Sequence, residues 1–182
     1  MVQSLKEIID DENYDETSVK EVFSNFTSSK NADVEDFIKD KAIDFEKKNL
    51  SRTFLVLDDD ALQNDKIKLL GFFTLGIKSI IFGEDATLTK RNEIAKSKIE
   101  KSIACFLLGQ IARDDKNSKK GFGKIIFDEA IRKIKMAQQN VAGRCIYLDC
   151  KKEMKDYYIN LGFKLLQNNP EDQSLFQMYT KI

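Results

Sequence analysis

The sequence predicts an α/β fold in which a mixed sheet is flanked by helices. Three observations carry this. The apolar run SIACFLLGQIARD (102–114) passes through a short polar loop into an amphipathic stretch and then into a second apolar run, RCIYLDC (144–150). Strand, helix, strand in that order makes two parallel strands. Upstream, TFLVLDDD (53–60) and KIKLLGFFTLGIKSIIF (66–82) flank the turn region DDDALQND and read as an antiparallel hairpin. Downstream, FKLLQ and SLFQMYTKI supply two final strands.

The first fifty residues are acidic, with thirteen Asp and Glu against seven Lys, a balance of −6. Within them Asn31 to Asn49 reads as a helix. Val34, Phe37, Ile38, Ala42 and Phe45 share one face, and Asp33, Glu35 and Asp36 sit in the first turn, where the helix dipole favours anions. Lys90 to Lys101 is charged, with sparse apolar residues, and reads as a helix. The run 102–114 is almost continuously apolar, as a strand buried on both faces is. Gly109 in its middle marks a bulge or a close backbone approach. From Lys124, residues Ile126, Ala130, Ile134, Ala137 and Val141 recur at helical spacing, widened by Ile125 and Ile131. KKEMKDYYINLGF (151–163) reads as a short helix that Gly162 ends.

Composition bounds the function. The 182 residues suit one domain, and 42% apolar with 33% charged residues is ordinary for a globular chain. Thirty basic residues balance thirty acidic ones, which neither demands nor excludes nucleic acid. There is no histidine, so a Cys–His nucleophile is impossible and the commonest zinc ligand is missing. Cys105, Cys145 and Cys150 lie in strand-like runs without C-x-x-C spacing. They read as buried reduced thiols of a cytoplasmic protein, and metal binding has no support. The N-terminus has no uncharged apolar segment, and no run is long enough to span a bilayer.

The chemistry concentrates in SKKGFGK (118–124), two glycines flanked by lysines at the start of a helix. Free N–H groups and the helix dipole there favour phosphate. It is not a Walker loop, because Ile125 stands where Ser or Thr is required. It is not a Rossmann loop, because Ile126 stands at the third glycine.

SKKGFG together with YYINLGF (157–163) and the strand IYLDC resembles the GNAT superfamily of N-acetyltransferases, over about residues 20 to 182. LLGQIARDDKNSKKGFGK is similar to the subgroup that contains tRNA-acetylating toxins. Gly121 and Gly123 match the family's pyrophosphate loop, and Ser118 stands where the family has Arg or Gln. The resemblance implies a single acetyltransferase domain over residues 1–182, with a mixed, mostly antiparallel sheet whose parallel central strands splay apart. It implies acetyl-CoA as cosubstrate and a primary amine as acceptor. The pyrophosphate would lie on Ser118, Lys119, Lys120, Gly121, Phe122, Gly123 and Lys124, the lysines adding charge where the serine lacks arginine's reach. Pantetheine would pair with the backbone of Ile111, Ala112 and Arg113. Tyr158, four residues before Gly162, would protonate the leaving thiolate, while Tyr157 packs in the core.

The acceptor could be a small amine, a protein amine or the amino acid on a charged tRNA. The tRNA reading needs a basic face, and the neutral total and acidic N-terminal third count against it. No general base stands out; Glu84, Asp85 and water are candidates. A protein that binds acetyl-CoA without turnover is the alternative class, motivated by Ser118 and the unseen base. No membrane partner is expected, and a homodimer is compatible with the resemblance.

Overall fold

The computed structural model describes residues 1–29, 31–63, 67–117 and 119–182, and of Leu62 the backbone only. The elements are β1 (Val2–Ser4), α1 (Leu5–Ile9), α2 (Glu16–Ser24), α3 (Ala32–Asp36), a π-helical turn (Phe37–Lys41), α4 (Ala42–Lys47), β2 (Arg52–Leu57) and α5 (Asp59–Leu62). Then come β3 (Leu69–Ile81), α6 (Leu88–Ala95), β4 (Ser102–Arg113), α7 (Phe122–Gln138), β5 (Cys145–Lys151), a 3-10 turn (Lys152–Met154), α8 (Lys155–Asn160), β6 (Lys164–Asn168) and β7 (Leu175–Lys181). The strand order among the described residues is β1-β2-β3-β4-β5-β7-β6. β4 and β5 are parallel, whereas β1–β2, β2–β3, β5–β7 and β6–β7 are antiparallel. The mixed, mostly antiparallel sheet is therefore present.

Residue contacts divide the chain into two compact units. One is Met1–Gly76 with Gln110–Lys133, and the other is Ile77–Gly109 with Ile134–Ile182. The first unit's core joins Phe23, Phe26 and Ile38 from its helices to Leu55 and Phe72 from its strands. The helix expected over 31–49 runs from Ala32 to Lys47 around its π-helical turn and buries Val34, Phe37, Ile38 and Ala42, with Phe45 half-buried. Glu46 is buried among them because Arg52 Nη1 and the Thr53 N–H both donate to it at 2.7 Å. A buried carboxylate needs such partners. The second unit's core gathers Ile80, Ile94, Tyr147, Leu166 and Tyr179.

Several sequence expectations change. β1, α1 and α2 were not expected, being too short to show a clear period. Local capping makes α2: Asp15 accepts the Thr17 and Ser18 N–H groups at 3.1 Å each. DDDALQND holds the short helix α5, capped by Asp58 through the Asp60 N–H at 3.2 Å. The start of the second hairpin strand at Lys66 lies outside the described residues. The helix expected over Lys90–Lys101 is α6, which starts two residues earlier and stops at Ala95, six residues sooner, ended by Lys96 at φ +56°. β4 is buried on both faces only in its middle: Cys105 is buried on one face and Phe106 and Leu108 on the other, while Ala104 and Gly109 are exposed. Burial depends on what covers the sheet face, which the strand's own composition does not fix. On α7, Ile126, Ala130 and Ile134 are buried as expected and Phe127 joins them. Ile125, Ala137 and Val141 are exposed, the last because the helix has already ended.

Candidate functional site

In the first unit, β4 ends in a loop that its own polar groups fix. The buried Asp114 accepts the Thr27 N–H at 3.2 Å and the Thr27 Oγ1 hydroxyl at 2.9 Å, and its own N–H donates to Leu70 O at 2.8 Å. Arg113 Nη1 donates to Asn117 O at 2.8 Å, and Asn117 Oδ1 accepts the Lys119 N–H at 3.2 Å. Gly71 lets β3 approach this end of β4: a Cβ there would meet Ala112 O at 2.7 Å and Arg113 Cα at 3.3 Å. Ile111, Ala112 and Arg113 are themselves half-buried. Neither Asp114 nor Gly71 was anticipated, although a glycine inside a strand is a signal of close backbone approach.

The glycine loop follows, and Ser118 lies outside the described residues. Gly121 has φ +81°, a conformation that side chains oppose even though the space around it is open. Its carbonyl accepts the Lys124 N–H at 3.0 Å and the Ile125 N–H at 3.4 Å, which starts α7. Among the described residues, no hydrogen bond is made by the N–H groups of Lys120, Gly121 and Gly123. Unsatisfied N–H groups at a helix start are the anion-binding device expected of this stretch. Lys119 and Lys120 are exposed, and Lys124 pairs with Asp128 at 2.6 Å. The Phe122 ring is buried, and its N–H donates to Lys119 O at 3.3 Å.

In the second unit, α8 carries the tyrosines. The helix stops at Gly162, φ +90°, where the Phe163 N–H donates to Tyr158 O at 3.0 Å. Tyr158 is 8% exposed, its ring 5.2 Å from that of Tyr157 and 5.9 Å from that of Phe163. Among the described residues its hydroxyl has no hydrogen-bond partner, yet it is not one of the sealed polar atoms left unpaired. Burial, with Tyr157 and the Cys150 thiol as lesser neighbours, pushes its phenol above the usual tyrosine range. The group stays protonated at neutral pH, and the same burial makes it slower to release the proton. Tyr157, expected in the core, is 40% exposed. A six-residue helix points one narrow face inward, and the adjacent position turns away from it. Cys150 is a buried thiol pushed up to about 11 by burial and then by Asp149 and Glu153, so it is no thiolate nucleophile.

β4 and β5 keep parallel register at Phe106↔Ile146 and Leu107↔Tyr147, and no later pair exists among the described residues although β5 continues to Lys151. Cys105 and Cys145, expected as reduced thiols, form a disulfide one residue before that ladder on each strand. Strand pairing brings them to neighbouring positions, which spacing in sequence could not reveal.

A cavity of ≈ 580 Å³ lies in the first unit along Phe122, Ile125 and Ile126, but Asp58, Asp59 and Asp60 also line it. Three carboxylates make it a poor host for pyrophosphate. Among the described residues no cluster of His, Cys, Asp or Glu could hold a metal, and no helix is long and apolar enough to cross a membrane.

No family model and no curated protein matches the chain. Solved structures do. A crystal structure described as a bacterial toxin aligns with TM-score 0.73 at 16% identity, covering 100% of this chain and 91% of the other. AtaT complexed with acetyl-methionyl-tRNAfMet aligns with TM-score 0.71 at 17% identity, covering 97% and 92%. An AtaT mutant toxin bound to the C-terminus of the antitoxin AtaR and acetyl-CoA aligns with TM-score 0.68 at 15% identity, covering 100% and 92%. The chain has the fold of these toxins, which agrees with the fold implied by the GNAT resemblance.

Proposed function

We propose that the whole chain is a single acetyl-CoA-dependent N-acetyltransferase domain acting on a primary amine. The observation that carries this is the glycine loop, with unsatisfied N–H groups at the start of a seventeen-residue helix, in a fold shared with a toxin solved with acetyl-CoA. Lys120, Gly121 and Gly123 would hold the pyrophosphate through backbone N–H groups. Lys119, Lys124 and Ser118 would add charge and one hydroxyl. The backbone of Ile111, Ala112 and Arg113 would pair with pantetheine in the manner of an added strand.

In this reading the neutral amine attacks the thioester carbonyl, the C–N bond forms and the C–S bond breaks. Tyr158 gives its phenolic proton to the departing thiolate and regains one from the amine through water. The phenol carries its proton at neutral pH, as any tyrosine does, and the upward shift from burial makes it a weaker acid, so the role rests on the position of Tyr158 and not on its acidity.

A second reading makes the acceptor the amino acid of an aminoacyl-tRNA. One observation favours it: the similar fold of AtaT complexed with acetyl-methionyl-tRNAfMet. Binding of acetyl-CoA without turnover is the remaining alternative.

The test is a thermal melt with millimolar acetyl-CoA, followed by thiol release with spermidine, a lysine peptide and methionyl-tRNA as acceptors. The melt should rise, since a ligand that binds only the folded state stabilises it by mass action. The Gly121→Val variant should stay folded and show no rise. No shift in the unmodified protein would refute the pyrophosphate site; a shift without thiol release would favour the binding protein.

A further inference from the structure

β5 presents a second polar group on the face opposite Cys150. Leu107 and Tyr147 are register partners, so two residues further on Gly109 and Asp149 occupy the same face. Gly109 is exposed although β4 lies inside the strand order, and it offers no Cβ to cover the neighbouring surface. Asp149, in the otherwise apolar run CIYLDC, keeps 22% of its side chain exposed.

The two oxygens of Asp149 are treated differently. Oδ1 accepts the Tyr147 hydroxyl at 2.5 Å and Asn169 Nδ2 at 2.9 Å. Asn169 is buried and cannot turn away, because its Oδ1 takes the Glu171 and Asp172 N–H groups at 2.9 and 3.3 Å. Oδ2 has, among the described residues, one partner: Lys78 Nζ at 3.4 Å. That is long for a charge-assisted bond, which normally closes to about 2.8 Å. Lys78 is 39% exposed and also rests over the Tyr147 ring at 5.5 Å, a position it can hold without the carboxylate. The result is a carboxylate with one oxygen locked by neutral donors and the other loosely held by a movable ammonium group.

We propose that Asp149 is the acceptor anchor of this protein: Oδ2 receives the primary ammonium group of the incoming acceptor in place of Lys78, and Gly109 leaves the approach open. This rests on the acetyltransferase reading. Asp149 captures and orients the acceptor, and the ammonium proton leaves to water before the nitrogen attacks. The Tyr147 and Asn169 hydrogen bonds set the direction of the free lone pairs without competing for the cation.

The test uses the full chain, saturated with acetyl-CoA, and two carboxylate-free primary amines as probes, glycinamide and methionine amide. Thiol release gives kcat and KM, calorimetry gives acetyl-CoA affinity, and circular dichroism reports folding. Asp149→Asn should raise the amine KM at least ten-fold while kcat and acetyl-CoA affinity stay within two-fold. Lys78→Met removes the competing cation and should lower the amine KM, which keeps the test decisive if the asparagine variant folds poorly. Unchanged KM in both variants, or kcat, KM and cofactor affinity worsening together, would overturn the anchor. So would a wild-type protein that binds acetyl-CoA but neither binds nor acetylates the amides. A wild type that binds no acetyl-CoA would instead overturn the acetyltransferase reading beneath it, and the anchor with it.

Discussion

The glycine loop and the β5–α8 segment offer chemistry in opposite ways. The loop presents backbone N–H groups and exposed lysines, and its shape comes from a φ of +81° at Gly121 and a buried brace at Asp114. The β5–α8 segment presents side chains, Tyr147, Asp149 and Tyr158: the Tyr147 hydroxyl is directed onto Asp149 Oδ1, and burial pushes both phenols above the usual tyrosine range. A backbone site tolerates changes to its side chains but not to its conformation. A side-chain site fails when a single atom is lost.

The sharpest test of that contrast is Tyr158→Phe, which deletes one oxygen. Turnover should fall about one hundred-fold, roughly 2.7 kcal/mol in the barrier, with acetyl-CoA affinity unchanged because the packing against Phe163 is kept. Turnover within a few-fold of wild type would return Tyr158 to a packing role.

Asp114→Ala probes the brace of the loop instead. It strands the Thr27 N–H and hydroxyl and should cost about 2 kcal/mol in denaturant unfolding, with weakened acetyl-CoA binding. If cofactor affinity survives while stability falls, the loop holds its shape without the brace.

Alkaline titration separates the regions further. The Tyr158 phenol ionises near 10.0 when unfolded but later when folded, because burial disfavours the phenolate. The unfolded chain therefore loses its proton first, and the contribution present below that pH disappears as pH rises. By about pH 11 the wild type should have lost about 1 kcal/mol more than Tyr158→Phe relative to neutral pH. Parallel stability curves for the two proteins would show that the phenol titrates as if exposed.

Lys124→Ala should do least. The residue is exposed, and its i,i+4 pair with Asp128 is worth about 0.4 kcal/mol. The loss of one charge should weaken acetyl-CoA binding only several-fold, against complete loss for Gly121→Val. A larger effect from the lysine than from the glycine would mean that side-chain charge, not backbone, holds the cofactor.

What the sequence determined by itself was local. Gly121 and Gly162 stand where a positive φ is needed, Ile126, Ala130 and Ile134 mark the inner face of α7, and the strand–helix–strand order makes β4 and β5 parallel. Each follows from chain periodicity or from the conformational freedom of glycine, properties that need no distant partner. Only the tertiary structure decided the rest. Tyr157 and Tyr158 are adjacent and chemically identical, yet one is exposed and the other buried, because helix rotation against a core chooses between them. Cys105 meets Cys145 across 40 residues, Asp114 meets Thr27 across 87, and Asp149 meets Lys78 across 71. Such contacts depend on strand order and on which face of the sheet is covered, and a linear pattern of side chains carries neither.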